Sequence, residues 1–268
     1  MSYKGILGAV AGDIIGSRFE WHNYKAKDFE LFTDKCSFTD DTVMTIAVAK
    51  ALLQCNGNYD DLSDKAISSM QQIGRLYPDS GYGGSFFAWL FGDNPKPYNS
   101  WGNGSAMRVS ACAYFARSLD EAIEFSHKVT VITHNHPEGL KGAEATTVAT
   151  YMALHGSSKE EIRQYILENY YNIDYTLDDI RDSYHFDVSC QGSVPQALQA
   201  FFEAKDYEDA IRNAISIGGD SDTIAAITGA VVCAYYGMPD EIKEKTYEYL
   251  TPKLKEIVNN VDDKIREL

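Results

Sequence analysis

Apolar positions along this chain recur three and four residues apart, the period of a helix buried on one side. Ile6, Val10 and Ile14 set the pattern in the first stretch. Positions Val43, Ile46, Ala47, Lys50 and Leu53 trace another helix with small residues between them. The same periodicity predicts helices near 60–77, 105–117, 119–133, 138–155, 158–169, 194–204, 206–216, 220–236 and 239–266, the last broken at Pro252. No run alternates apolar and polar residues with β-branched enrichment, so no sheet is expected. The expected fold class is all-α: a multi-helix orthogonal assembly forming one domain over residues 1–268.

Two of these helices are built almost wholly from small and apolar residues, 42–53 (TVMTIAVAKALL) and 223–237 (TIAAITGAVVCAYYG). Alanine and glycine faces let backbones approach closely. Both are expected to be central, packed on each other or on the Gly-rich first helix (GILGAVAGDIIG). The longest apolar run, 224–237, falls short of the roughly 20 residues a membrane span needs. The apolar stretch 5–12 stops at Asp13 with no cleavage pattern, so no targeting segment is expected. No fixed-period repeat and no Pro/Gly/Ser-rich linker interrupts the chain.

Charge and cysteines narrow the function. The formal net charge is −15 and no basic stripe stands out, which argues against nucleic-acid binding. Solubility is the plain reading of that acidity, and carboxylates gathered to hold cations are the alternative for part of it. Cys36, Cys55, Cys112, Cys190 and Cys233 are odd in number and widely spaced, with no C-x-x-C. That excludes a disulfide framework and a cysteine zinc site, and suits buried thiols in a reducing cytoplasm. With no extended apolar stripe left over, a monomer without membrane attachment is expected.

The candidate chemistry sits where helices begin. Phe38-Thr39-Asp40-Asp41-Thr42 opens one small-residue helix, and Gly218-Gly219-Asp220-Ser221-Asp222-Thr223 opens the other. Thr, Ser and Asp are favoured N-caps, and acids in a first turn suit the helix dipole. Capping explains either motif alone. It needs only one side chain, however, so Asp-Asp and Asp-x-Asp exceed it, and crowded carboxylates repel unless a cation lies between them. Their donors are all oxygens, which favours Mg²⁺, Mn²⁺ or Ca²⁺ over zinc or copper. Four carboxylates from two loops suffice for two ions. Glu20, just past the first helix in GDIIGSRFE, reads from the residues alone as a solvated surface glutamate.

Two glycine loops, DSGYGGS at 79–85 and WGNGSAMR at 101–108, precede further helical or aromatic segments. Backbone N–H groups at such helix starts can meet phosphate, although ordinary turns use the same residues. No strand precedes either loop, which removes the dinucleotide-fold and P-loop readings. Thr133-His134-Asn135-His136-Pro137-Glu138-Gly139 joins two helices and reads as a polar turn sooner than a zinc site. His134 can serve there as a neutral hydrogen-bonder to a ligand.

As a set, GDIIGSRFE, FTDDTVMTIAVAKAL, SGYGGSF, GNGSAMR, THNHPEG and GGDSDTIAAITGAVVCAYYG occur in the order seen in ADP-ribosylglycohydrolases, and the chain resembles that family over residues 12–237. The resemblance implies an all-α hydrolase with two Mg²⁺ ions, sometimes Mn²⁺. It matches the family's metal ligands to Thr39, Asp40, Asp41, Asp220, Asp222 and Thr223, and its helix-end glutamate to Glu20. Positions around ADP-ribose match Gly81, Gly83, Asn103, Gly104, Ser105 and His134. The implied partner is an ADP-ribosylated protein or a small-molecule ADP-ribose conjugate. Segment 157–190 matches nothing in the pattern; its polar and aromatic residues suit the outer pocket.

The implied reaction is hydrolysis at the anomeric carbon of the distal ribose. Glu20 is the candidate to activate water or gate the metals, and Asp41 a poorer one, since a metal ligand is a weak base. A binuclear-metal phosphoesterase and a non-catalytic ADP-ribose binder are the alternatives. The first would release AMP, and the second is disfavoured because every acidic position of the pattern is present.

Overall fold

The computed structural model of the chain describes residues 2–268. Among them are fourteen α-helices, two single 3-10 turns and no strand. The chain runs through α1 (Leu7–Gly16), a 3-10 turn (Ser17–Phe19), α2 (Asp40–Cys55), α3 (Leu62–Gly74) and α4 (Gly84–Phe91). A second 3-10 turn (Asn103–Ser105), α5 (Ser110–Phe115), α6 (Leu119–Thr130) and α7 (Pro137–Leu154) follow. Next come α8 (Lys159–Asn169), α9 (Leu177–Ile180), α10 (Cys190–Glu203), α11 (Tyr207–Ile215) and α12 (Ser221–Tyr236). The last two are α13 (Asp240–Tyr249) and α14 (Pro252–Glu267), separated as Pro252 requires.

The all-helical expectation holds, with local differences, among them the short unpredicted α9. The aromatic run after the first glycine loop is itself a helix, α4, which buries Phe86, Trp89 and Leu90 and leaves Phe87 and Phe91 exposed, so apolar residues occur all round it. The helix expected over 105–117 shortens to α5, because a 3-10 turn and a bend occupy 103–109. α10 begins at Cys190 and not near 194. Pro195 suggests a first-turn position, but the Ser189 hydroxyl accepts from the Gly192 amide at 3.1 Å and starts the helix earlier, leaving the proline inside. All five cysteines are buried and free, as expected. No helix among the described residues is long and apolar enough to cross a membrane.

Close packing of α1 on α12 organises the site. Every residue of α1 is buried. A Cβ added at Gly12 would lie 2.1 Å from the Ala225 carbonyl oxygen, and one at Gly229 would lie 2.2 Å from the Gly8 oxygen. Only hydrogen fits at these crossings. Gly8 faces Cys233, Gly12 faces Ala225 and Gly16 faces Asp222, so the helices are antiparallel. The C-terminal end of α1 therefore meets the acidic start of α12. α2 also packs on α1 and barely touches α12 along its length. The small-residue helices are thus joined through α1, and only their N-terminal ends converge.

Candidate metal centre and cleft

Asp13 makes that convergence specific. It is wholly buried near the end of α1, and its carboxylate accepts from the Thr39 amide (2.9 Å), the Thr42 amide (3.0 Å) and the Thr39 hydroxyl (2.8 Å). These are donors from the start of α2, where the helix dipole is positive. Thr39 Oγ1 also accepts from the Asp41 amide at 3.2 Å. Capping of α2 is thus done by Thr39 and Asp13. At α12, Asp220 occupies the N-cap position but makes no cap bond. Its Oδ2 accepts instead from Asn103 Nδ2 at 2.7 Å. The carboxylates of Asp40, Asp41, Asp220 and Asp222 remain for other work.

Three of them, Asp41, Asp220 and Asp222, join Asp13 and Glu20 in two triads, while Asp40 lines the cleft outside both. Oxygens of Asp13, Asp41 and Asp222 lie within 4.8 Å of one another, and so do oxygens of Glu20, Asp220 and Asp222. Asp222 belongs to both. Thr223 Oγ1 donates to Asp41 Oδ2 at 3.2 Å, tying the two helix starts together. Asp41 Oδ1 and Asp222 Oδ1 are buried without any hydrogen-bond partner. Buried carboxylate oxygens left bare beside other carboxylates are costly unless a cation joins them. An all-oxygen donor set with no Cys or His fits a hard divalent ion.

Electrostatics tell the same story. Burial, then the neighbouring carboxylates, push Asp41 and Asp222 well above the usual carboxylate range. Burial and the charges of Asp13 and Asp220 raise Asp40 to about 8, and burial with Asp220 and Asp13 raises Glu20 to about 7. Asp13, raised to about 6 by burial, is held lower than Asp40 by its hydrogen bonds. In the cation-free protein these groups bind more protons folded than unfolded between about pH 4 and 8. Stability contributed by their protonated forms is complete below that window and lost as pH rises through it. We expect thermal melts in EDTA to show lower stability at pH 8 than at pH 5.5, with Mg²⁺ stabilising more at pH 8. Equal Mg²⁺ effects at both pH values would refute this electrostatic picture.

The triads floor a cleft of about 550 Å³. Eleven of the thirteen residues singled out from sequence line it: Glu20, Asp40, Asp41, Asp220, Asp222, Thr223, Gly81, Gly83, Asn103, Gly104 and His134. Thr39 lies just behind, bonded to Asp13. Ser105 turns away from the cleft: wholly buried, it donates to the Gly139 carbonyl at 2.8 Å and holds the loop instead of facing a ligand. Gly81 has φ +96°, which favours glycine. Gly83 and Gly84 have no such constraint; a Cβ there would meet nothing within 4 Å. His136 caps α7, its Nδ1 accepting from the Glu138 amide at 3.1 Å, as the polar-turn reading requires. At the mouth, exposed Trp21 stacks on Phe186 with centroids 5.0 Å apart. Segment 157–190 thus reaches the outer pocket through Phe186 and Val188.

Asp13 escaped the sequence reading although it lies within GDIIGSRFE. Its signal was available: it is the one charged residue inside an otherwise apolar, glycine-rich helix.

Comparison with known proteins agrees with this architecture. A family model described as ADP-ribosylglycohydrolase matches residues 3–267. The ADP-ribosylhydrolase ARH3 of Homo sapiens is 26% identical over 321 residues, covering 90% of this chain and 87% of that protein. The ADP-ribosylarginine hydrolase Tri1 of Pseudomonas putida (strain GB-1) is 26% identical over 288 residues, covering 90% of this chain and 72% of that relative. A solved structure, an ADP-ribosylglycohydrolase-related protein complex, has a TM-score of 0.73 at 21% identity over 97% of this chain and 95% of its own, a likeness of fold. The family match takes in every helix from α1 to α14, and the chain belongs to the ADP-ribosylglycohydrolase family.

Proposed function

We propose that the protein hydrolyses the bond between the anomeric carbon of ADP-ribose and an acceptor, using two divalent cations, Mg²⁺ or Mn²⁺. The acceptor is a modified protein side chain or a small molecule. The observation that carries this reading is the pair of carboxylate triads sharing Asp222 on the floor of a cleft. The volume suits a nucleotide-sized ligand. Asp13, Asp41 and Asp222 would hold one cation, and Glu20, Asp220 and Asp222 the other. The hydroxyls of Thr39 and Thr223, now bonded to Asp13 and Asp41, are within reach of the first.

Water adds across the glycosidic bond. Its oxygen bonds the anomeric carbon, the carbon–acceptor bond breaks, and a proton goes to the leaving group. When bound, the cations supply charge that lowers the pKa of water and grips ribose hydroxyls. Glu20, half-buried at the cleft and the most exposed carboxylate of its triad, is suited to take the water's proton and return it to the leaving group when it is released from the cation that Asp220 and Asp222 keep. Asp41 is buried in the triad and serves as a holder, not a base. Carboxylates facing the sugar stabilise the positive charge of an oxocarbenium-like transition state. Asn103 orients Asp220, and its Nδ2 also reaches Ser193 Oγ at 3.0 Å.

The open start of α4 is suited to the diphosphate, since the first amides of a helix lack internal partners. Gly83→Val places a side chain in open cleft space. Stability should stay within about 0.5 kcal/mol of wild type, while ADP-ribose affinity measured by calorimetry falls at least about tenfold. Unchanged affinity would remove α4 from the phosphate site.

Incubation with peptides ADP-ribosylated on arginine or on serine, followed by mass analysis of the nucleotide product, tests the reaction. Free ADP-ribose is expected, and the peptide consumed identifies the linkage. AMP as product would make the protein a phosphoesterase instead.

A further inference from the structure

In the cleft wall, a buried guanidinium acts on a neighbouring residue that faces the ligand space. Arg108 is 1% exposed, and its hydrogen bonds go to neutral oxygens, the Thr133 hydroxyl at 2.7 Å and the Val129 carbonyl at 3.3 Å. Thr133 Oγ1 in turn lies 2.7 Å from Nδ1 of His134. A hydroxyl carries one proton and two lone pairs, whereas a guanidinium can only donate. Arg108 therefore occupies a lone pair of Thr133. With Nδ1 accepting, the hydroxyl proton has a partner at 2.7 Å; with Nδ1 donating, it would be left only the Thr130 carbonyl at 3.4 Å, so the first arrangement is the better bonded.

Burial, and then the Arg108 charge, holds the His134 pKa well below its ordinary value, so the ring is neutral. A neutral imidazole whose Nδ1 accepts must carry its proton on Nε2. Nε2 has no hydrogen-bond partner among the described residues, although His134 is only 4% exposed. It lies 3.6 Å from where a Cβ on Gly102 or on Gly104 would sit, and both glycines line the cleft.

We infer that Arg108 and Thr133 are positioning residues that hold His134 as an Nε2–H donor aimed into the cleft, so that the ligand atom it meets must be a hydrogen-bond acceptor. That the ligand is ADP-ribose rests on the function proposed above; the tautomer does not. The geometry also accounts for a buried arginine with no carboxylate bonded to it.

The test is ¹⁵N–¹H correlation NMR of the full chain labelled at histidine, with the His134 signals assigned by their loss in His134→Gln. Wild type should show an acceptor-type Nδ1 and a protonated Nε2. Thr133→Ser should keep that signature. Thr133→Val removes the hydroxyl, so the Nδ1 resonance should move toward the value of an unbonded acceptor, and ADP-ribose affinity should fall about tenfold. A protonated Nδ1 in wild type overturns the inference, as does an Nδ1 resonance unmoved by Thr133→Val. If Thr133→Val does not fold, the wild-type tautomer still decides. The expected tautomer in a protein that binds no ADP-ribose would leave this inference standing and refute the proposed function.

Discussion

Replacing Asp222 with asparagine is expected to abolish divalent-cation binding and turnover together, while the cation-free protein becomes more stable. Asp222 alone belongs to both carboxylate triads, so one substitution would disable both proposed cation positions. Turnover should fall by at least about 10³-fold, the scale on which loss of a preorganised charge is felt. The gain in stability has the opposite origin. Asp222 is almost fully buried, and Asp220, Asp41, Glu20 and Asp13 all raise its pKa. Asparagine keeps the shape, removes the charge and can donate to a neighbouring carboxylate. A gain on the order of 1 kcal/mol or more should appear in thermal melts in EDTA at pH 8. Calorimetry with Mg²⁺ supplies the other half. An Asp222→Asn protein that still binds cations would show that the triads are not the metal centre.

Glu20→Gln is expected to separate chemistry from binding. Glu20 stands at the edge of the site, half-buried, and the Asp13, Asp41 and Asp222 triad does not depend on it. Loss of a general acid–base group lowers turnover by about 10²–10⁴-fold. ADP-ribose affinity, which rests on the cleft walls, should change only by about a few-fold. Turnover and calorimetric affinity, measured on the same preparation, check both halves. Full turnover in Glu20→Gln would remove the proton-transfer role, and an equal loss of affinity would make Glu20 chiefly a holder of ligand or metal.

The sequence exposed the acidic helix starts because Asp40-Asp41 and Asp220-x-Asp222 carry more carboxylates than a cap can use. In the structure Thr39 and Asp13 do the capping at α2 and Asp220 makes no cap bond. Asp13 stayed hidden because its importance is tertiary. Only the antiparallel crossing of α1 and α12, which the glycines permit, brings its carboxylate to the start of α2. Local pattern could not show which small-residue helix packs on which, and α1 proved to be the joining element.

Elsewhere the losses have local causes. α4 lacked amphipathic periodicity because exposed Phe87 and Phe91 stand opposite buried Phe86, Trp89 and Leu90. α10 was misjudged at its start because a proline six positions into a helix resembles a beginning. Ser105 sits in a loop whose backbone borders the cleft, while its own hydroxyl serves the interior. His134 was legible as a neutral hydrogen-bonder, but Arg108 and Thr133 behind it were not, since a relay through a hydroxyl leaves no spacing rule in the chain.

The central claim is that hydrolysis depends on cations held by the triads at the start of α2 and α12. The most direct measurement is the rate of ADP-ribose release from an ADP-ribosylated peptide by EDTA-stripped protein as Mg²⁺ or Mn²⁺ is added back. The account predicts no release before addition, recovery with either ion, and no recovery at any concentration for Asp222→Asn. Undiminished release from stripped wild-type protein would contradict it.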